Sequence, residues 1–482
     1  MSVSLQVSLL SGRTICLDAE LGESLQSLSE RAQVALASRR GSFLNAEGKL
    51  LHGASTVEDC SLKDGDVLTF HIGQIEVFMS RGLPAAASIL SDGSVLAWGE
   101  ADSGGDCSFL TDQLKNVRKI QGSHSAFAAL LADSSVVTWG DKRCGGDSSA
   151  VQHKLQKVEH IQASNASFAA LLSDGSVVTW GDATGGGDSS SVHDQLKSVE
   201  KIQASGGAFA ALRRDGSVVT WGAPWCGGDC NSVQPRLCGV QHIQATGMAF
   251  AAILADRSVV AWGDASSGGD CSAVQHKLKD VQQIQASGDA FAAILGDGSV
   301  VTWGTTSFIS EPVPDDLKNV QQIQAAYNAF AAILEDGSVV TWGDPRAGGS
   351  CYGVRHQLKD VRSVQATHAA FAALRADGSV VTWGDPGSGG DSRLVQGRLK
   401  NVQQIQASGG AFAAILGDGS VVTWGPEMHG GRCGAVEEQL KNVQQIQASS
   451  GDFVAVLADG SLIRWGVSGS RTLLAGGPST SA

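Results

Sequence analysis

The chain has 482 residues, of which 42% are hydrophobic and 17% charged, and its formal net charge is −13. That length exceeds what one ordinary hydrophobic core holds, so several units or a repeat array are expected. The acidic balance argues against nonspecific nucleic-acid binding and against anionic membranes, both of which reward cationic surface, and no run approaches the roughly 20 apolar residues of a membrane helix.

Residues 1–73 carry no repeat. VSLQVSLL at 3–10 alternates apolar and polar residues, SGRT turns, and ICLDAEL at 15–21 alternates again, which predicts a β-hairpin. SLQSLSERAQVAL at 24–36 sets Leu25, Leu28, Ala32, Val34 and Leu36 near helical spacing, with Glu23 and Ser24 as start signals. A short strand near Ser42 to Leu44 and a last strand in DGDVLTFHI at 64–72 complete the order β-β-α-β-β. This stretch resembles ubiquitin and ubiquitin-like domains, in the phrases LLSGRTICLDAEL, SLQSLSERAQVAL, AEGKLLHGASTVEDCSLKDGD and VLTFHI. The resemblance implies an α+β β-grasp (ubiquitin-like) head over 1–73. Where ubiquitin ends in a conjugated Gly-Gly tail, His71-Ile72-Gly73-Gln74 runs on, so an integral domain is expected. The family's receptor patch falls on Leu10, Asn45 and His71, and only Leu10 is apolar.

From residue 74 to residue 466 one phrase returns, best written DGSVVTWGD at Asp174 to Asp182. Its Trp-Gly pairs begin at Trp98, Trp139, Trp180, Trp221, Trp262, Trp303, Trp342, Trp383, Trp424 and Trp465, at eight intervals of 41 residues and one of 39. Such a period marks a repeat architecture. Each unit reads as three short strands, VEHIQAS, FAALL and SVVTWG in the copy at 157–197, with an Asp-Gly turn between the last two. Ser134 and Arg257 replace that Gly in two copies, and Ala86 replaces the Phe that precedes the Trp by twelve residues in the other nine. A small three-stranded sheet cannot cover both of its own faces, and face-to-face stacking of such sheets is the propeller solution. The array resembles the regulator-of-chromosome-condensation repeat in the compact form of β-lactamase-inhibitor propellers, carried by DGSVVTWG and the AxxxxFAAL strand before it. It departs from that family in having ten units rather than seven, and GGD-Cys/Ser where the family has GQLG. The expected fold is therefore an all-β propeller of ten three-stranded blades closed at about 36° per blade, with an open superhelical stack of the same blades as the alternative. Residues 467–482 are expected to be a flexible tail in which RTLLAG supplies a closing strand.

The ten cysteines do not read as disulfides. Cys107, Cys230, Cys271, Cys351 and Cys433 follow a repeat Trp by nine residues, and Ser148, Ser189 and Ser392 fill the same slot elsewhere. Interchange with Ser predicts small, partly buried free thiols. With no signal peptide visible, a cytoplasmic or nuclear location is expected.

No catalytic constellation is present: there is no HExxH, and GxSxG is missing. Asp106, Asp147, Asp188, Asp229, Asp270 and Asp391 each follow a Gly pair, but one Asp per loop reads as an Asx turn rather than a calcium site. Cys226, Cys230 and Cys238 lack zinc-ligand spacing. A non-enzyme with no cofactor or metal is expected. Binding residues are sought where the repeat breaks: Trp225 in APWCGGDC, Phe308 and Ile309 in TTSFISEPVPDD, and Phe109 in the first copy, together with Leu10 and His71 of the head. The expected role is a noncatalytic scaffold or adaptor, the propeller holding a protein partner and the head linking to the ubiquitin/proteasome system. A subunit or substrate receptor of a ubiquitin ligase is the first alternative; residues 467–482 leave no room for a HECT domain, and no RING cluster occurs. Guanine-nucleotide exchange on a small GTPase, implied by the repeat family, is the second.

Overall fold

The computed structural model describes residues 2–9, 14–36, 42–45, 51, 55–71, 76–79, 85–90, 92–304, 313–314, 317–467 and 469–474. The N-terminal stretch builds one mixed sheet and one helix. Strand β1 (Ser2–Leu9) pairs antiparallel with β2 (Thr14–Glu20) and parallel with β4 (Val67–His71), and β3 (Ser42–Leu44) borders β4, giving the order β2-β1-β4-β3. Helix α1 (Leu25–Leu36) starts where the Ser27 amide donates to Ser24 Oγ at 3.2 Å. Its Leu25, Leu28, Ala32 and Leu36 share one face and are buried with Leu5, Val7, Phe43, Leu68 and Phe70.

Ten further sheets follow among the described residues, nine of three strands and the last of four. They are numbered here in chain order. The third, Val158–Ala163, Ser167–Leu172 and Val177–Gly181, is representative. Its middle strand holds Phe168, Ala169 and Ala170, all at 0% exposure. Successive side chains of a strand point to opposite faces, so burial of all three requires cover on both sides. Neighbouring sheets provide it: Phe168 and Ala170 join a core cluster with Ala128 and Leu130 of the second sheet, and Ala169 joins one with Phe209 of the fourth. Alanine at these positions keeps the facing sheets close.

The sheets converge on one side, where the first strand of each meets the first strand of the next. Each of these strands after the first sheet carries a β-bulge directly after its leading Val, as between Val158 and His160. At one end of the stack the amide of Val199 donates to the carbonyl of Gly175 in the sheet before it at 2.9 Å, and the same bond recurs from sheet to sheet. At the other end the turns between first and second strands form a relay. The amide of His124 donates to the carbonyl of Asn165, Asn165 to Gly206, Gly206 to Gly247, and so on through Gly288, Tyr327, His368 and Gly409 to Ser450.

The first and tenth sheets also share a core cluster, Ala86, Leu90 and Trp98 against Val454, Val456 and Leu462. This junction is filled differently from the others. Elsewhere a Phe of one sheet packs with an Ala of the sheet before it, as Phe127 with Ala87 and Phe453 with Ala413. Here the Phe slot is Ala86 and the Ala slot is Val454, an exchange of bulk across the contact. The segment Arg471–Leu474 adds a strand to the outer edge of the tenth sheet, and its Leu473 packs on the same cluster.

The Asp-Gly-Ser turns are held by their own side chains. Asp174 Oδ1 accepts from the Ser176 amide at 2.9 Å and from the Ser176 hydroxyl at 2.6 Å. Ser134 and Arg257, which stand where other copies have Gly, keep the left-handed backbone at φ 67° and 64°. The Ser hydroxyl and amide hold Asp133, Asp174, Asp215, Asp256, Asp297, Asp336, Asp377 and Asp418 below the ordinary carboxylate range. A carboxylate with a depressed folded-state pKa stabilises above its unfolded value of about 3.9 and loses that contribution as pH falls through the folded value.

Two outcomes are expected. The urea midpoint of the full chain should fall below about pH 4, and Asp174→Asn should lower it at pH 7 by a difference that shrinks as pH falls from about 4 toward the depressed folded-state value. At the first–tenth junction, Val454→Ala should destabilise by about 2 kcal/mol through the cavity it leaves. Ala86→Phe should destabilise alone by overpacking yet recover stability in the Val454→Ala background, with a coupling of about 1 kcal/mol in a double-mutant cycle. Strict additivity would refute the exchange of bulk.

Candidate functional site

The loops after the third strand are the variable surface of the array, and they are held by a clamp. In the second sheet, Asp141 caps a 3₁₀ turn over Lys142–Cys144, which ends at Gly145 with φ 90°. A Cβ on Gly145 would lie 2.6 Å from Phe168 of the third sheet. The Gly145 carbonyl accepts the indole N–H of Trp180 at 3.0 Å, and that indole stacks on Phe168 with centroids 5.2 Å apart. The next residue, Gly146, has no room either, its Cβ position being 2.3 Å from the Gly140 carbonyl oxygen. The Gly pair of GGD is thus a packing device: the loop of one sheet lies on the aromatic pair of the next. The Trp indole donates to a loop Gly carbonyl in the same way from Trp139, Trp221, Trp262, Trp303, Trp383, Trp424 and Trp465. Among the described residues Trp98, at the first–tenth junction, and Trp342 do not make this bond. The loop before Trp342 is the one that lacks Gly-Gly, and Trp342 Nε1 is buried without a hydrogen-bond partner.

The Asp after the Gly pair forms an Asx turn, as where Asp188 Oδ1 accepts the Ser190 amide at 2.8 Å. Among the described residues no group of three or more His, Cys, Asp or Glu side chains gathers as a metal-ligand set. The Cys/Ser slot that follows is buried and has a polar task that size alone does not explain. Ser148 Oγ and Cys230 Sγ both donate to a Gln carboxamide oxygen four residues on, each at 2.8 Å. That Gln in turn donates to the third strand, Gln152 to the Val136 carbonyl and Gln234 to the Val218 carbonyl. The slot cysteines form no disulfide, and burial pushes the thiols of Cys107, Cys230, Cys271 and Cys433 up, away from thiolate chemistry.

Of the residues sought from the sequence, Trp225 and Phe109 stand on these loops, 64% and 72% exposed. Trp225 sits in the 3₁₀ turn Pro224–Cys226, fixed by Pro224 at its start, the buried Cys226 and Gly227 at its end. Phe109 lies in the turn Ser108–Leu110 of the first unit, three repeats away, so the two do not form one patch by sequence order. Phe308, Ile309 and Leu10 lie outside the described residues. His71 is the last residue of β4, opposite Ser42 of β3. Sequence reasoning passed over Tyr352, Leu394, Met428 and Tyr327, also exposed. Their signal was available: most other copies fill these positions with small or polar residues, Leu394 occupies the slot of Phe109, and Met428 occupies the slot of Trp225. Tyr327 and His368 border a groove of about 750 Å³ with Asp344, Arg346 and Pro386 across the seventh and eighth sheets. The negative charge of Asp289 pushes the Tyr327 phenol up, and burial followed by the nearby His429 pushes the His368 imidazole down.

No family model matches the chain, and no curated protein matches it. Solved structures do resemble it. The CRINKLY WD40 ectodomain of the receptor kinase ACR4 from Arabidopsis thaliana is 18% identical with a TM-score of 0.32, over 55% of this chain and 93% of that one. Prp20p from Saccharomyces cerevisiae is 16% identical with a TM-score of 0.30, over 51% and 79%. Human WBSCR16 is 15% identical with a TM-score of 0.31, over 56% and 77%. The repeated three-stranded sheet is the likeness; it concerns fold. No helix among the described residues is long and apolar enough to cross a membrane.

The clamp gives a direct comparison. Trp303→Phe deletes the bond to Gly268 and leaves a carbonyl unpaired, whereas Trp342→Phe deletes an N–H that has no partner. Trp303→Phe should therefore cost about 1 kcal/mol more than Trp342→Phe in urea unfolding. Equal costs would remove the indole–carbonyl bond from the account of junction stability.

Proposed function

We propose that this protein is a noncatalytic protein-interaction scaffold: a ring of ten blades that presents its loops to a protein partner, with a ubiquitin-like head as a second binding module. The observation that carries the scaffold reading is Trp225. The ten repeat tryptophans are all buried, while this additional one is exposed on a turn begun by Pro224. An aromatic side chain held in place loses little entropy on binding, and Trp is enriched at the centre of protein interfaces. The shared cluster of the first and tenth sheets supports a closed ring over an open stack. The order β2-β1-β4-β3 with a parallel central pair and one packed helix supports the β-grasp reading of the head. The link of that head to the ubiquitin/proteasome system rests on the resemblance in sequence alone.

The test is affinity capture from cell extract with the full chain, alongside Trp225→Ala and a Phe109→Ala control. Trp225→Ala should fold with an unchanged urea midpoint and lose at least one reproducible partner, with Kd for that partner, once purified, raised at least tenfold. Capture of the same partners at the same affinity by Trp225→Ala would refute the rim site. Stimulated nucleotide release from a captured GTPase would replace the scaffold by an exchange factor, and a captured ligase that retains activity on a partner would make the chain a ligase subunit.

A further inference from the structure

The converging side of the array carries a second departure from the repeat. After its leading Val, the first strand of the second to the seventh sheets exposes a pair of residues, and the bulge at that point turns both to the same side. In the sixth, seventh, ninth and tenth sheets the pair is Gln-Gln. In four consecutive sheets, the second to the fifth, it is Arg118-Lys119, Glu159-His160, Glu200-Lys201 and Gln241-His242. The second member of the pair thus runs Lys119, His160, Lys201, His242 across four neighbouring strands, and all four are exposed. Among the described residues, Lys119, His160 and His242 make no ion pair, and Lys201 has only a 3.9 Å approach to the adjacent Glu200. A cavity of about 340 Å³ opens in the middle of this row. Lys119, His160, Glu200, Lys201 and His242 line it, and Ile202 and Leu212 belong to its apolar part.

We infer that this cleft binds an acidic segment of a protein partner, seating one apolar side chain in the cavity while flanking carboxylates meet the row of Lys119, His160, Lys201 and His242. The inference deepens the scaffold reading and rests on it, by naming a partner chemistry at a site away from the loops. The layout of charge selects the ligand. The donors do not converge on one point, as a single phosphate or carboxylate would need; the Lys119 and Lys201 ammonium groups and the His160 and His242 rings are spread along a line from strand to strand, with the apolar cavity between them. An extended peptide supplies anionic groups at such intervals and alternates them with other side chains. A chain of net charge −13 otherwise repels acidic partners, so the neighbouring Arg118, Lys119 and Lys201 are where one would be steered. Glu159 and Glu200, interleaved in the row, disfavour a polyanion that needs unbroken positive surface, such as RNA.

The experiment uses the full chain and a fluorescein-labelled peptide in which Glu and Asp flank a central Leu, read by anisotropy at low and moderate salt. Binding is expected, weakening as salt rises, and the same peptide with Gln and Asn replacing the acids should bind at least tenfold more weakly. Lys119→Gln with Lys201→Gln installs the residue that other sheets carry at this position, so the fold tolerates it; that variant should lose at least tenfold in affinity. Absence of binding to the acidic peptide, equal binding by the variant, equal binding of the neutral peptide, or tighter binding of labelled oligouridylate would each overturn the inference. Trp225→Ala should bind the peptide as the wild-type chain does, so a failure at the loops and a failure at this cleft are distinguishable.

Discussion

The array depends on one contact, made between neighbouring sheets: a loop Gly lying flat on a stacked Phe–Trp pair, with the Gly carbonyl taking the indole N–H. It joins burial of two large rings, an aromatic pair interaction of about 1 kcal/mol and a buried hydrogen bond in a single place. No side chain larger than hydrogen fits between loop and ring, which explains a glycine usage that composition alone would assign to disorder. Because the accepting Gly carbonyl of the clamp is in one unit and the donating indole in the next, no sheet is complete by itself. Stability belongs to junctions, as expected of a stacked repeat.

Two junctions depart from this rule, and they do so differently. Between the tenth and first sheets the receiving Phe is replaced by Ala86, and the lost bulk returns from the opposite face as Val454. Between the sixth and seventh the receiving Phe330 and Trp342 remain, stacked at 5.5 Å, while the Gly pair is missing and the indole N–H is left unsatisfied. The first is a compensated exchange. The second leaves a buried donor without compensation among the described residues, which makes it the weaker of the two in hydrogen-bond terms.

The strands, the Asp-Gly-Ser turns and the burial of the Cys/Ser slot were legible in the sequence because each depends on neighbours a few residues away or on a period repeated many times. The meaning of Gly-Gly-Asp was not. Its loudest residue chemically is the Asp, as in Asp188, yet that side chain only closes its own turn. The glycines matter through a ring more than twenty residues downstream, Gly145 on Phe168, and a contact across two units has no local signature. Likewise the Cys/Ser interchange reads as a matter of size until the Gln152 and Gln234 carboxamides are seen to accept from either side chain. Trp225 and Phe109 were found as breaks in the repeat. The row from Lys119 to His242 was not, because polar residues on a short strand look like an ordinary wet face until neighbouring strands are set side by side. Phe308 and Ile309 fall outside the described residues.

The clamp also has a direction. Each loop that carries the Gly pair reaches forward to the next sheet, and the relay of turn amides from His124 to Ser450 runs in that same sense. A unit copied in tandem would therefore bring its own Gly for the sheet after it and its own Phe and Trp for the sheet before it. Gain or loss of a whole unit among the clamped ones leaves their junctions chemically matched, whereas a partial copy leaves one glycine without a ring or one ring without a glycine. The architecture thus tolerates change in copy number far better than change in phase.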